Sequence, residues 1–188
     1  MTKIIVYTRP DGGLSVCRPN RTARLCVVGE EDATTVVPFY EAQRAAGLLA
    51  LPYEEAVAAM SPRWAETEDE FVVRVRDLSV PADAVGVRIA DESEVPTDRT
   101  FRDAWRSDGK KISTDMPRAR ELHRERLRAA RAPLLAALDV EAIRADEVGD
   151  AEAKSAIVAR KQRLRDVTRL PEIEAATTAE ALTKVWPL

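Results

Sequence analysis

The sequence predicts an α+β chain: a small N-terminal antiparallel sheet with short helices, followed by a C-terminal antiparallel helical hairpin. Three observations carry this expectation. Residues 4–8 are rich in β-formers and 14–17 alternate in polarity, on either side of a Pro-Asp-Gly-Gly turn, and a second β-rich stretch follows at 85–90. Residues 117–188 hold one glycine, Gly149, and no strand-like run, and their apolar residues recur at helical spacing. The chain has 188 residues and is 45% apolar, enough for one ordinary domain or two small ones with a genuine core.

The elements follow in order. Ile4 to Thr8 and Leu14 to Cys17 read as a hairpin, with Pro10 fixing φ in the turn and Gly12 and Gly13 accepting unusual dihedrals. Leu25 to Val28 is another short strand. Pro38 opens a helix that ends at Gly47, and Glu54 to Met60 forms a second one. Residues 66–78 mix signals. The β-branched run Val72-Val73 suggests a strand, but Thr67 and Glu70 have capping-box spacing, and acids precede Arg74 and Arg76 as a helix dipole prefers. A helix is expected there. Val85 to Ala90 is a strand placed to pair with the N-terminal hairpin.

A polar connector, 91–100, leads to Phe101 and Trp105, four apart, which one helical turn would set on a common face. Residues 106–110 form a turn, and the domain boundary is expected near 111, giving domains 1–111 and 112–188. A long helix should span Met116 to Glu147, capped by Thr114 or Asp115, with Pro133 kinking or dividing it. Gly149 and Asp150 make a tight connection to a second helix, so the two are antiparallel neighbours. The second helix should run to about Thr168 and present a stripe of Ala153, Ala156, Ile157, Leu164 and Val167. Leu170-Pro171 breaks the run, and Thr177 with Glu180 can cap a last short helix to Val185.

Composition excludes several classes. Charged residues reach 32%, yet the net charge is −3, which disfavours a globally basic nucleic-acid binder. No apolar run approaches the roughly 20 residues of a membrane span, and the N-terminal residues lack a signal-peptide core. Cys17 and Cys26 lack partners at metal spacing and read as reduced thiols. With one histidine, His123, no catalytic triad can be drawn, and that side chain, between charged neighbours, reads as exposed. Glu66, Glu68, Asp69 and Glu70 have the chemistry to hold a divalent cation, but an exposed helix start explains them equally well. The chain is expected to be non-enzymatic, with no cofactor and no metal.

Partner binding is the better-supported chemistry. Arg118, Arg120, Arg124, Arg126, Arg128 and Arg131 fall in one run with only Glu121 and Glu125 as acids. Such a run can grip an acidic partner, or it can be a solvated face with intrahelical pairs, Glu121 with Arg124 and Glu125 with Arg128. Of nine aromatic residues, Phe101 and Trp105 share one connector and Trp186 lies next to the C-terminal end of the sequence. These three read either as linker anchors in a core or as hot spots on a partner surface.

The order of these features carries a resemblance. Arg118 to Leu138 is followed by Asp139, then by Gln162-Arg163-Leu164-Arg165-Asp166, then by Trp186-Pro187. This is similar to the C-terminal module of bacteriophage tail assembly chaperones and tail-fibre assembly proteins. Pro96 to Trp105 also looks like a segment of small proteins encoded in phage tail regions. Val140 departs from the pattern, standing where those proteins carry Trp. The likeness covers residues 85–188 and hardly touches 20–84. It implies a non-enzymatic protein that binds a tail-fibre or baseplate protein, as assembly chaperone or virion tail component. Its place would be the host cytoplasm during assembly, or the virion tail. Phe101, Trp105, Arg120, Arg124, Arg128, Arg131 and Trp186 are the expected partner-binding residues, and a homo-oligomer is compatible with the same reading. The alternative is a nucleic-acid-binding regulator using the Arg-rich helix 118–131.

Overall fold

A computed structural model describes residues 2–28, 35–60 and 64–185. The fold is α+β, with small antiparallel sheets in the N-terminal part and long helices in the C-terminal part. The chain divides into two compact units, Met1–Val95 with Ser107–Lys111, and Pro96–Arg106 with Ile112–Leu188.

The first unit begins with β1 (Lys3–Thr8) and β2 (Leu14–Cys17), joined by the expected turn. Gly12 donates to Arg9 C=O at 2.9 Å and Arg9 N–H donates to Gly13 C=O at 2.8 Å. Gly12 has φ +78°, the left-handed position that closes this type of hairpin loop. β6 (Val85–Asp91) pairs with the other edge of β1, giving a three-stranded antiparallel sheet in the order β2-β1-β6. α3 (Glu68–Ser79) covers it: Phe71 and Val72 pack on Ile5. Both halves of the Thr67–Glu70 capping box form, which settles the mixed signal of this segment in favour of helix.

A second small sheet takes the order β4-β3-β5, from β3 (Leu25–Val28), β4 (Thr35–Pro38) and β5 (Trp64–Ala65). Cys26 of β3 packs with Phe39 and Ala42 of α1 (Phe39–Ala45) and with Ala56 of α2 (Tyr53–Met60). Gln43, buried, donates to the carbonyls of Leu48 and Leu51 and so fixes the α1–α2 connection. Both cysteines are free thiols, and burial pushes both pKa values up.

The second unit opens with the 96–106 connector, which the sequence assigned to the first domain. Its Phe101 and Ala104 are buried with Ala119, Leu127, Val167, Ile173 and Leu182, so it packs with the helices. Trp105 does not continue a helical turn from Phe101. A three-residue 3-10 turn at Arg102–Ala104 ends and β7 (Trp105–Ser107) starts, paired with β8 (Ile112–Thr114). α4 (Met116–Glu147) is capped by Asp115, whose carboxylate accepts from Arg118 N–H at 3.2 Å. The helix continues through Pro133 and is not divided there.

Beyond the C-terminal end of α4, Gly149 turns the chain with φ +71°. Asp150 N–H donates to Ala145 C=O at 2.9 Å and Gly149 N–H to Asp146 C=O at 3.1 Å, the paired bonds of a Schellman end. Asp150 caps α5 (Ala151–Asp166) by accepting from Ala153 N–H at 2.8 Å. The hairpin is antiparallel, since Asp146, Glu141 and Asp139 pair in turn with Lys154, Arg160 and Lys161. Of the expected α5 stripe, Ile157 and Val167 are buried, Ala153 and Leu164 half-buried, and Ala156 exposed. Two short helices follow, α6 (Pro171–Ala175) and α7 (Ala179–Thr183). The cap of α7 is Thr178, accepting from Ala181 N–H, one residue later than the expected Thr177.

Candidate functional site

The arginine run divides: Arg118 pairs within the helix with Glu121, Arg128 stays solvated, and the others reach beyond α4. Arg120 donates to the carbonyls of Ile173 (3.1 Å) and Ala176 (3.0 Å). Arg124 donates to Thr168 C=O at 3.3 Å and pairs with Glu174. Arg131 donates to Arg165 C=O at 2.7 Å. Thr168 and Arg165 lie at the C-terminal end of α5, and Ile173 and Ala176 at that of α6, where carbonyls lack intrahelical donors and the helix dipole is negative. Arg120, Arg124 and Arg131 therefore serve as C-terminal caps for the helices that return beside them. The expected pairs Glu121–Arg124 and Glu125–Arg128 give way to these contacts; Glu121 pairs with Arg118 instead, at 3.0 Å.

The aromatic predictions divide. Phe101 is 1% exposed and Trp105 4%, so neither side chain is presented to a partner. Core anchoring of a linker describes both. Arg126 lies over the Phe101 ring at 4.8 Å and donates to Thr100 C=O at 2.6 Å. Trp186 lies outside the described residues. His123, expected to be exposed, is buried: its ring meets Phe101 edge-on, and Nε2 lies 2.7 Å from Val185 C=O, so Nε2 carries the proton it donates.

Glu66, expected at an exposed helix start, is also buried. Arg74 reaches its two carboxylate oxygens at 2.7 and 2.8 Å, and Leu25 N–H donates to it at 2.9 Å. The Arg74 hydrogen bonds hold the Glu66 carboxyl below the usual carboxylate range against the opposing effect of burial. Glu68 turns to Arg21, Asp69 to Lys3 and Glu70 to Thr67. Lys3 N–H also donates to Glu68, so the four acids are each engaged by groups of the protein. Among the described residues no group of three or more His, Cys, Asp and Glu side chains is arranged to hold a metal ion.

One concave surface stands out by its charge. A cleft of about 490 Å³ in the helical unit is lined by Arg124, Arg128 and Arg131 of α4, by Gln162, Arg165 and Asp166 of α5, and by Thr168 and Arg169 beyond it. Five guanidinium groups face one carboxylate, and that carboxylate accepts from Gln162 at 2.9 Å. Arg128, Arg165 and Arg169 are exposed, and none makes an ion pair among the described residues. Arg124 and Arg131 are committed to carbonyls, which fixes the wall on which Arg128 stands. A neighbouring depression of about 620 Å³ shares Asp166 and is lined by Leu134, Leu138, Leu164 and Leu170. Of the predicted residues, the structure brings Arg124, Arg128 and Arg131 together and sends Arg120 to the α6 end. Arg165 and Arg169 were missed; their spacing of four on a helix-compatible stretch was the available signal.

The polar cleft of the first unit, about 450 Å³, offers a contrast. Arg21 lies against Glu54 and Glu68, and Arg24 donates to Glu66 C=O at 2.9 Å and to the Tyr53 hydroxyl at 2.8 Å. Its cations are already answered by its own walls. Comparison with family models, curated proteins and solved structures finds no match for the chain.

Proposed function

We propose that this chain is a non-enzymatic binding protein of a phage tail region. Its helical unit takes an acidic segment of a tail-fibre or baseplate protein into the arginine cleft, as an assembly chaperone or as a tail component. The observation that carries the binding mode is the cleft itself, where Arg128, Arg165 and Arg169 are exposed and have no counter-ion among the described residues. Guanidinium groups bind carboxylates through charge-assisted, often bidentate hydrogen bonds. The sequence likeness over residues 85–188 supports the choice of partner. Phe101 and Trp105 drop out of the interface and support it from the core.

The test is co-expression of the full chain with phage tail-fibre and baseplate proteins. The wild type should retain one of them through purification. Arg128→Glu, Arg165→Glu and Arg169→Glu combined should lower that affinity at least tenfold, with the helical content unchanged. Retention unaffected by the triple change would refute the cleft. Tighter binding to a short DNA duplex than to any of these proteins, lost steeply as salt rises, would put the nucleic-acid regulator in its place.

A further inference from the structure

We infer that α4 carries a second interface, through which two copies of this chain associate in parallel. Ala129, Pro133, Ala136, Val140 and Ile143 follow one another at spacings of four, three, four and three, the rhythm of a coiled-coil seam. All five are exposed, Val140 at 48% and Ile143 at 60%. At about 100° per residue they lie across the helix from Leu138, Ala142 and Ala145, which pack on Ile157 of α5. The hairpin thus buries one side of α4 and leaves an apolar stripe on the other, about 21 Å long at 1.5 Å per residue. The arginine cleft lies on the α5 side, so this surface is independent of the one proposed above.

The flanking charges name the occupant and its direction. With Pro133 and Val140 as the first core positions of successive heptads, Asp139 and Asp146 flank one edge and Arg144 the other. In a parallel pair a residue on the first edge meets one five positions further on in the other copy. Asp139 then meets the other copy's Arg144, and two-fold symmetry forms the pair twice. In an antiparallel pair like edges meet, setting aspartates against aspartates. Arg144 is exposed and makes no ion pair among the described residues. Asp139 remains 66% exposed beside Lys161, so both are open to such a contact. A seam this short with small side chains falls at the weak end of specific interfaces, so association belongs in the micromolar range, within reach of concentrations up to about 200 µM.

Sedimentation equilibrium of the full chain, from about 1 to about 200 µM, reads this directly. We expect a reversible monomer–dimer equilibrium. Ile143→Glu, at an exposed site, should weaken it at least tenfold without changing the thermal melt. Arg144→Asp and Asp139→Arg should each weaken it severalfold, and both changes in one chain should return the affinity to within about threefold of wild type. A monomer at the highest concentration overturns the proposal. So do a trimer, indifference to Ile143→Glu, or failure of the double charge exchange to restore what the single changes remove.

Discussion

Replacing Phe101 separates the two roles that its position in the sequence allows. The ring is buried against Ala119, Leu127 and Ile173, with Arg126 over one face. A buried phenylalanine withdraws about 150–250 Å² from water, roughly 4–6 kcal/mol at 25 cal/mol/Å². That is an upper figure, since the unfolded chain already shields part of the ring. Measured Phe→Ala costs of about 3–5 kcal/mol agree with it. The Arg126 contact adds about 0.5–1 kcal/mol, because that side chain is exposed. We therefore expect Phe101→Ala to destabilise the helical unit by about 4 kcal/mol and Phe101→Leu by no more than about 1.5 kcal/mol. Domains of this size have only about 5–15 kcal/mol to lose, so the alanine variant should give up between roughly a quarter and most of its stability. Urea unfolding followed by circular dichroism at 222 nm, where the helices dominate, measures both changes. An alanine variant that unfolds within about 1 kcal/mol of wild type yet no longer retains its partner would refute the reasoning and restore Phe101 as a surface anchor.

Further expectations concern groups whose environment the structure defines. Glu66→Gln leaves Arg74 without its counter-charge and should cost about 2–3 kcal/mol, below the full value for a broken buried pair because water reaches Arg74. The folded-state pKa of Glu66 is depressed, so its contribution is present above the ordinary carboxylate value of 4.5 and is lost as pH falls through the folded pKa. Urea midpoints of the wild type should therefore fall more steeply below about pH 4.5 than those of the variant; parallel curves would contradict the assignment. Gly149→Ala meets no neighbouring atom but must adopt φ +71°, and should cost about 1 kcal/mol in a urea melt.

Legibility varied with the source of the signal. The N-terminal hairpin, the α3 start and the bounds of α4 were readable because each is punctuated locally, by Pro10 and Gly12, by Thr67 and Glu70, and by Asp115 and Gly149. β4, β5, β7 and β8 were not, since two to four residues are too few to show alternation and their pairing depends on distant partners. His123 misled by its neighbours. The informative residues were four away on either side, Ala119 and Leu127, which are buried with it on one face. The α4 arginines could be counted but not assigned. Which of them bind carbonyls and which stay free depends on where α5 and α6 end after the chain has turned back.

Pro133 gives α4 a consequence for its dynamics. Proline has no amide hydrogen to donate to the carbonyl of Ala129, so the hydrogen-bond ladder thins near the middle of the rod. The two halves also owe their burial to different neighbours. Ala119 and Leu127 belong to the cluster around Phe101 and Ile173, whereas Leu138 and Ala145 belong to a smaller one with Ile157. We therefore expect a helix continuous in geometry to behave as two cooperative segments in energy. The hairpin beyond Pro133 should open and close while the half before it stays protected. In hydrogen exchange the amides from Leu134 to Leu164 would then share one faster rate, with a step at the proline. The proposed seam extends across that step, so a second copy docked along it would splice the two segments into one and slow the exchange of the outer one.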